Sequence, residues 1–279
     1  SRNMTYPPYP QQPGGDGYQH PENDHGGYAN PQYQQQQYSG MPGPGGTANG
    51  TGKLDLGGAI GFGFKAVFQQ PVFWIGMTLL MGVLMALIWV IVAFVVPGPV
   101  YNPSNPTPTM STALQQNLPP TLVGFLNVFA LNAALKYINK GSVSVPEIFQ
   151  NPQLGIAFAI QVIVGLVQLG FTLLATQLPV FIGVNLFVAL AAFFLAPLFM
   201  FFLYYLLDGR GSVVECLSLG ISDGRRNYGI LLGYSIVIVL IAVAGMLTCG
   251  LGFIVIAPAM ALANATAYRQ ISGGLVRNL

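Results

Sequence analysis

The 279-residue sequence predicts an all-α, polytopic membrane protein, and three observations predict it. Hydrophobic residues make up 53% of the chain and charged residues only 6%, where a soluble domain carries about 25% charged residues. The apolar residues are gathered into runs long enough to cross a hydrocarbon core of about 30 Å. All ten Lys and Arg and all eight Asp and Glu fall in the polar N-terminal region or in short segments between those runs. With the six longest runs laid across a bilayer, every charge lands on one side. Lys and Arg are held in the cytoplasm during insertion, so a multi-pass cell-membrane protein with both ends cytoplasmic is expected.

Residues 1–52 are dominated by Pro, Gln, Tyr, Gly and Asn, as in Tyr6-Pro-Pro-Tyr-Pro10 and Gln32–Tyr38. Without aliphatic periodicity nothing there offsets the entropy cost of ordering, and a disordered cytoplasmic tail is expected. Its tyrosines and Pro-rich turns suit it to binding a cytoplasmic protein. The start shows no basic segment followed by an apolar core, so no cleavable signal peptide is expected.

Residues 53–279 read as one membrane domain. Leu54–Gln70 mixes Leu54, Leu56, Ile60, Phe64, Val67 and Phe68 with Lys65, Gln69 and Gln70, the pattern of an amphipathic helix lying at the membrane surface. The first span is Val72–Val96. Pro97–Pro120, charge-free and rich in Pro, Asn, Ser and Thr, is expected as an exposed outer loop. Thr121–Tyr137 is the least apolar span and holds Asn127 and Asn132. Leu154–Leu174 and Val180–Leu207 follow, folded into an antiparallel hairpin by the short link Ala175–Pro179. Ile230–Thr248 and Leu251–Tyr268 make the last hairpin around a Cys249-Gly250 turn, giving six spans. Pro197 and Pro258 lie mid-span and are expected as kinks whose freed carbonyls find partners on neighbouring helices.

Internal echoes point to three α-hairpin repeats, units 54–141, 142–210 and 211–274, each with an inner amphipathic segment, a hairpin and a charged exit. Ser144/Glu147 and Ser212/Glu215 have capping-box spacing just after the chain leaves the membrane. Ala196-Pro197 precedes Asp208 by the interval that separates Ala257-Pro258 from Arg269. Ala59–Gly76 aligns with Cys216–Gly233, laying Gly63 on Gly220 and Gly76 on Gly233. Each unit holds an even number of spans, so the repeats run parallel, unlike the inverted repeats of many transporters.

Catalytic signatures are missing from the sequence: no Gly-x-Ser-x-Gly, His-Glu-x-x-His, phosphate-binding glycine loop or Cys-x-x-Cys. Both histidines, His20 and His25, lie in the tail, and no ionisable side chain is expected inside the bilayer for a proton or sodium relay. Cys216 and Cys249 fall on opposite sides and cannot pair. A net charge of +2 without a basic block gives no footprint for nucleic acid. No cofactor, metal or catalytic residue is therefore expected. The polar residues within spans are Asn127, Asn132, Gln161, Gln168, Asn185 and Asn264. Three roles fit them: ties between helices, the lining of a polar ligand path, or contacts to a foreign subunit. Arg225 and Arg226 are placed to meet anionic lipid headgroups. Gly229/Gly233 and Ala257/Ala261/Ala265 give small-residue faces for close helix packing.

Ser212–Gly274 resembles a recurrent bacterial integral-membrane domain of unknown function. The likeness rests on an acidic-capped amphipathic helix, Arg225-Arg-Asn-Tyr-Gly229, Cys249-Gly-Leu-Gly252, the Ala257-Pro258 pair and a closing Ala267-Tyr-Arg-Gln270. The Pro/Gln/Tyr/Gly-rich tail is similar to those of membrane proteins from mycolate-making actinobacteria. In organisation the chain also resembles corynebacterial accessory subunits of the cytochrome bc–oxidase respiratory supercomplex. The leading expectation is a non-catalytic accessory or scaffold subunit with other integral membrane subunits as partners. The alternative is a transporter or permease for a neutral or amphipathic, lipid-like substrate. Its distinguishing sign is a cavity lined by Asn127, Gln161, Gln168 and Asn264.

Overall fold

Away from water every backbone N–H and C=O must be paired within its own segment, so long apolar runs fold as helices. The computed structural model of the chain describes residues 47–97, 110–175, 181–248 and 250–277. Strand β1 (Thr47–Asn49) leads into α1 (Leu56–Gln69) and α2 (Pro71–Val95), followed by α3 (Met110–Gly124), α4 (Asn127–Lys140) and the short α5 (Val145–Ile148). Then come α6 (Leu154–Ala175), α7 (Phe181–Phe199), α8 (Phe202–Leu207), α9 (Val213–Arg226), α10 (Tyr228–Leu247), α11 (Phe253–Ser272) and β2 (Leu275–Arg277). The described residues are almost wholly helical. Among them five stretches are long and apolar enough to cross a membrane: Pro71–Val95, Met110–Lys140, Leu154–Ala175, Leu186–Leu207 and Tyr228–Leu247.

The sixth expected span, α11, has a different part. Asn264, Thr266, Arg269 and Gln270 make it less apolar, and Pro258–Met260, Leu262, Ala263 and Ala265–Arg269 are buried. It is the central post of the core, against which α1, α2, α4 and α10 pack. Small residues permit the closest approach: a Cβ at Gly63 of α1 would lie 2.2 Å from the Ala259 carbonyl oxygen of α11. Around this seam Phe62, Trp74, Val128, Ala134, Tyr137 and Leu262 are all buried, with Trp74 and Phe62 edge-on to Tyr137. The face of α1 made by Ala59, Phe62, Gly63, Ala66 and Val67 is thus taken up by protein, while Phe68 of the face expected against lipid stays exposed.

The charged residues converge on one end of the bundle. There Gly141 (φ 81°) closes α4 and Gly273 (φ 71°) closes α11, both in the left-handed conformation that favours glycine at a helix C-terminus. At the start of α5 the Ser144 N–H donates to Glu147 Oε2 (2.9 Å), and at the start of α9 the Ser212 N–H donates to Glu215 Oε2 (2.7 Å). Both expected capping boxes are therefore formed.

Four sequence expectations need correction. Residues 47–52 are not part of a disordered tail: β1 pairs antiparallel with β2, and the N–H groups of Gly50 and Gly52 donate to Gly274 O and Gln270 O. Met110–Pro120 is helix rather than loop. Pro119 and Pro120 are carried inside α3, where the Asn117 amide and the Thr121 hydroxyl donate to the carbonyls of Ala113 and Asn117. The span expected at Thr121–Tyr137 is two helices, parted at Phe125–Leu126, where i→i−3 bonds from Leu126 and Phe129 replace the α-helical ladder. Val180–Leu207 is likewise broken at Met200–Phe201, one turn beyond Pro197. The expected link at 175–179 (from residue 176 on), the outer loop at 98–109, Cys249 and the tail before residue 47 lie outside the described residues.

Candidate functional site

Two polar assemblies stand out, and they differ in kind. At the charged end Asp208, just past α8, is the hub of a closed network. Arg269 of α11 grips it with both ends of its guanidinium, Nη1 to Oδ2 at 3.0 Å and Nη2 to Oδ1 at 2.8 Å. Arg210 Nε (2.9 Å) and the Tyr268 hydroxyl (2.9 Å) also donate to Oδ2, and Arg269 Nη2 reaches Asn139 Oδ1 at 2.9 Å. Burial on its own would raise the Asp208 carboxyl. The Arg269 charge and the Arg210 hydrogen bond outweigh it and hold the group below the ordinary carboxylate range. Next to this hub Tyr205 donates its hydroxyl to Asp223 of α9, and Arg277 of β2 donates to the Ile138 and Asn139 carbonyls that end α4. Each charged side chain of this network reaches a neighbour, with the buried Arg269 Nε left without a partner among the described residues, and the network fastens α4, α8, α9, α11 and β2 together.

Asn132 belongs to that fastening. Its buried amide donates to Ile148 O (2.6 Å) and accepts from Asn151, which also reaches Leu207 O. Asn264 accepts from the Tyr234 hydroxyl at 2.9 Å, tying α10 to α11. Arg225 and Arg226 are exposed in the last turn of α9, where the helix dipole favours cations. The opposite face of α9 is locked down through Gly224, whose Cβ would lie 2.4 Å from Pro197 O. The side chain of Asn185 lies outside the described residues.

The second assembly is open. Between α2, α3, α4, α6 and α11 lies a cavity of about 400 Å³, bounded by Met77, Met81 and Met85, by Ala257, Pro258 and Ala261, and by Asn127 and Gln161. A narrower cleft of about 210 Å³ adjoins it between α3 and α6, lined by Asn117, Thr121, Gln161, Gln168 and Thr172. Pro120, Gly124 and Gln161 border both. The break between α3 and α4 helps make this space, because it ends α3 with carbonyls that have no partner in the helix. Gln161 Nε2 donates to one of them, Gly124 O, at 3.3 Å. Gly165 lets α6 close on the Phe125 ring beside the cleft, while a Cβ on Gly124 would meet open space. Asn127 is exposed to the cavity with its amide unbonded among the described residues.

The sequence-expected amides therefore separate. Asn127 and Gln161 border the wider cavity, Gln161 and Gln168 the adjoining cleft, and Asn132 and Asn264 border neither. Sequence reading missed Asn117 because the two prolines marked Pro97–Pro120 as loop, and passed over Thr121 and Thr172, within expected spans, because only amides were weighed there. The Met77/Met81/Met85 stripe was legible from its four-residue spacing. No charged residue borders either space. Comparison of the chain with protein families, curated proteins and solved structures finds no match.

Proposed function

We propose that this protein takes a neutral or amphipathic, lipid-like molecule into the α2–α3–α4–α6–α11 cleft, acting as a permease or lipid-handling protein without a catalytic step. One observation carries the reading: Asn127 and Gln161 line a cavity and Gln161 and Gln168 an adjoining cleft, with no amide of the three bonded to another. An amide in hydrocarbon is costly unless it is hydrogen-bonded, so an unbonded Asn127 beside open space suits a ligand that supplies the bond. The cavity lies within the about 300–1,000 Å³ common for small-molecule sites. By the positive-inside rule the charged end faces the cytoplasm of a cell membrane, with both termini there.

The three-unit plan supports the same picture of a scaffold built around a central seam. The shift that lays Leu56 on Val213 and Gln69 on Arg226 brings α1 onto α9 end to end, and brings Pro71, the start of α2, onto Tyr228, the start of α10. The shift that lays Pro197 on Pro258 also lays Phe202 on Ala263. Gly63 approaches Ala263, and its counterpart Gly220 approaches Phe202. Asp208 and Arg269, counterparts under that shift, are the two partners of the buried ion pair.

A second reading, an accessory subunit of a larger membrane assembly such as a respiratory supercomplex, draws on α7, where Leu186, Phe187, Val188, Leu190 and Phe194 are uncovered. Purification in mild detergent, followed by lipid and protein mass spectrometry, separates the two. The proposal expects a neutral or amphipathic molecule retained in stoichiometric amount and lost in Gly124→Leu. Stoichiometric partner subunits with only bulk phospholipid would replace it with the second reading.

A further inference from the structure

Polarity changes along the cleft in one direction. The α6 helix begins at the charged end, where Asn151 bonds Asn132 and Leu207 just before Leu154, and runs away from it. Gln161, Gln168 and Thr172 therefore stand progressively farther from the charged end. Across from them α3 runs the other way, with Asn117 and Thr121 facing the same narrow cleft. This part is rich in amide and hydroxyl groups. The wider chamber below the shared Gln161 and Gly124 lies closer to the charged end and is walled mostly by methionine, alanine, valine and proline, with Thr78, Asn127 and Gln161 as its polar residues. One turn below Met77 and Thr78 the fully buried Trp74 belongs to the packed core, and Leu131, Ala134, Ala259 and Leu262 are buried with it. The cleft thus has a polar mouth toward the uncharged end, an apolar chamber and a closed floor.

We infer that the cleft holds an uncharged, single-chain amphiphile in the orientation it has in the leaflet at the uncharged end. Its hydrogen-bonding headgroup lies among Asn117, Thr121, Gln161 and Gln168, and its chain lies against Met77, Met81 and Met85. This rests on the reading of the cleft as a ligand site and adds the charge, the chain number and the direction of the ligand.

Each part has its own physical reason. A charged headgroup would have to leave water for a site whose borders carry no counter-charge, and such a transfer is strongly unfavourable. Amides and hydroxyls donate and accept, so they match a hydroxyl- or carbonyl-bearing headgroup. Methionine is flexible and polarizable and lines adaptable apolar surfaces well. A chamber of about 400 Å³ is near the small end of the usual range for ligand sites, which favours one chain over two. Direction follows from order: an amphiphile in that leaflet carries its headgroup outward and its chain toward the midplane, the same sequence of polar and apolar walls.

The test is photo-crosslinking of the full-length protein in phosphatidylcholine vesicles, using monoacylglycerols with a diazirine either near the glycerol or at the chain end. The headgroup probe is expected to label the Asn117–Gly124 and Gln161–Thr172 segments, and the chain-end probe the Met77–Met85 segment. Excess unlabelled monoacylglycerol should abolish both. A fatty acid or lysophosphatidic acid of the same chain length, and a diacylglycerol, should label at least about tenfold less, a margin of about 1.4 kcal/mol. Gly124→Leu, which fills the junction, and the paired change Gln161→Leu with Gln168→Leu should each lower labelling about tenfold or more. The thermal midpoint of each variant is read alongside, so misfolding is separated from loss of the ligand. Equal labelling by the anionic or two-chain probes, or the reverse mapping of the two diazirines, overturns this inference and leaves the cleft as a ligand site. Failure of every probe to label the cleft removes both.

Discussion

The charged end and the uncharged end of this bundle are built by opposite rules. At the charged end α1, α4, α8, α9 and the last turns of α11 meet in a layer where aromatic rings interlock and three acids are each matched: Asp208 by three donors, Asp223 by Tyr205, Glu147 by Lys140. Toward the uncharged end the spans carry wide uncovered apolar faces, among them Leu79, Val83, Leu87 and Val90 on α2 and Ile163, Val167 and Phe171 on α6. The difference follows from the two surroundings. Backbone breaks and charges are tolerated only where partners are built in, which forces dense packing at the charged end. In hydrocarbon there is no hydrophobic drive to close helix against helix, so gaps between spans survive unless small residues or hydrogen bonds remove them. The cleft lies where the first regime gives way to the second.

The contrast is broken most severely at its hub. Asp208→Asn leaves Arg269 buried without its counter-charge and is expected to lower stability by about 3–5 kcal/mol, read as a drop in the unfolding midpoint of the purified protein. Pairing it with Arg269→Gln should cost clearly less than the two single changes added together, because neither charge is then stranded. Acid acts on the same group. Because the Asp208 carboxyl is held below its ordinary value in the folded protein, its contribution is complete above that ordinary value. It is lost as pH falls through the depressed one, so acid unfolding at low pH should be blunted in the double variant.

Overpacking comes next. Gly63→Val drives a side chain into the Ala259 carbonyl and should cost about 1–3 kcal/mol or more, whereas Gly124→Val enters open space and should change stability by no more than about 0.5 kcal/mol. Asparagines sharpen the comparison in the same way. Asn132→Leu strands the Ile148 carbonyl and the Asn151 amide and should cost about 1–3 kcal/mol. Asn127→Leu has no bond to lose and should leave the midpoint unchanged while weakening ligand retention. The smallest effect is expected at Glu147, exposed at the start of α5. Its hydrogen bonds to Lys140 and Ser144 lower its carboxyl from 4.5 to about 2. Glu147→Gln should therefore remove only a slight loss of stability between those two pH values, followed by circular dichroism.

Much of this was legible from residues alone. Apolar runs and charge segregation located the helices, and the Ser-x-x-Glu pairs located two helix starts to the residue. Three of the six amides singled out do border the two adjoining spaces. What sequence hid has a common physical cause, since pairing in three dimensions overrides the local signal. Pro119-Pro120 reads as a loop, yet α3 continues through it, with Asn117 and Thr121 adding side-chain bonds to Ala113 O and Asn117 O on either side. The face of α1 reads as membrane-seeking, yet Gly63 admits α11. The equal intervals from Pro197 to Asp208 and from Pro258 to Arg269 were visible. Nothing in one dimension said that the two ends would meet as a salt bridge.

The most direct measurement is thiol reactivity in intact cells, with Cys216→Ala and Cys249→Ser together as background and single cysteines placed at Gln168, Gly124 and Ala134. The account predicts rapid modification of the Gln168 position by a membrane-impermeant maleimide. It predicts slower but clear modification of the Gly124 position by a small permeant reagent, and none at Ala134 until the protein is unfolded. Equal protection at all three positions, or reaction at Ala134 as fast as at Gly124, would contradict an open cleft standing on a closed floor.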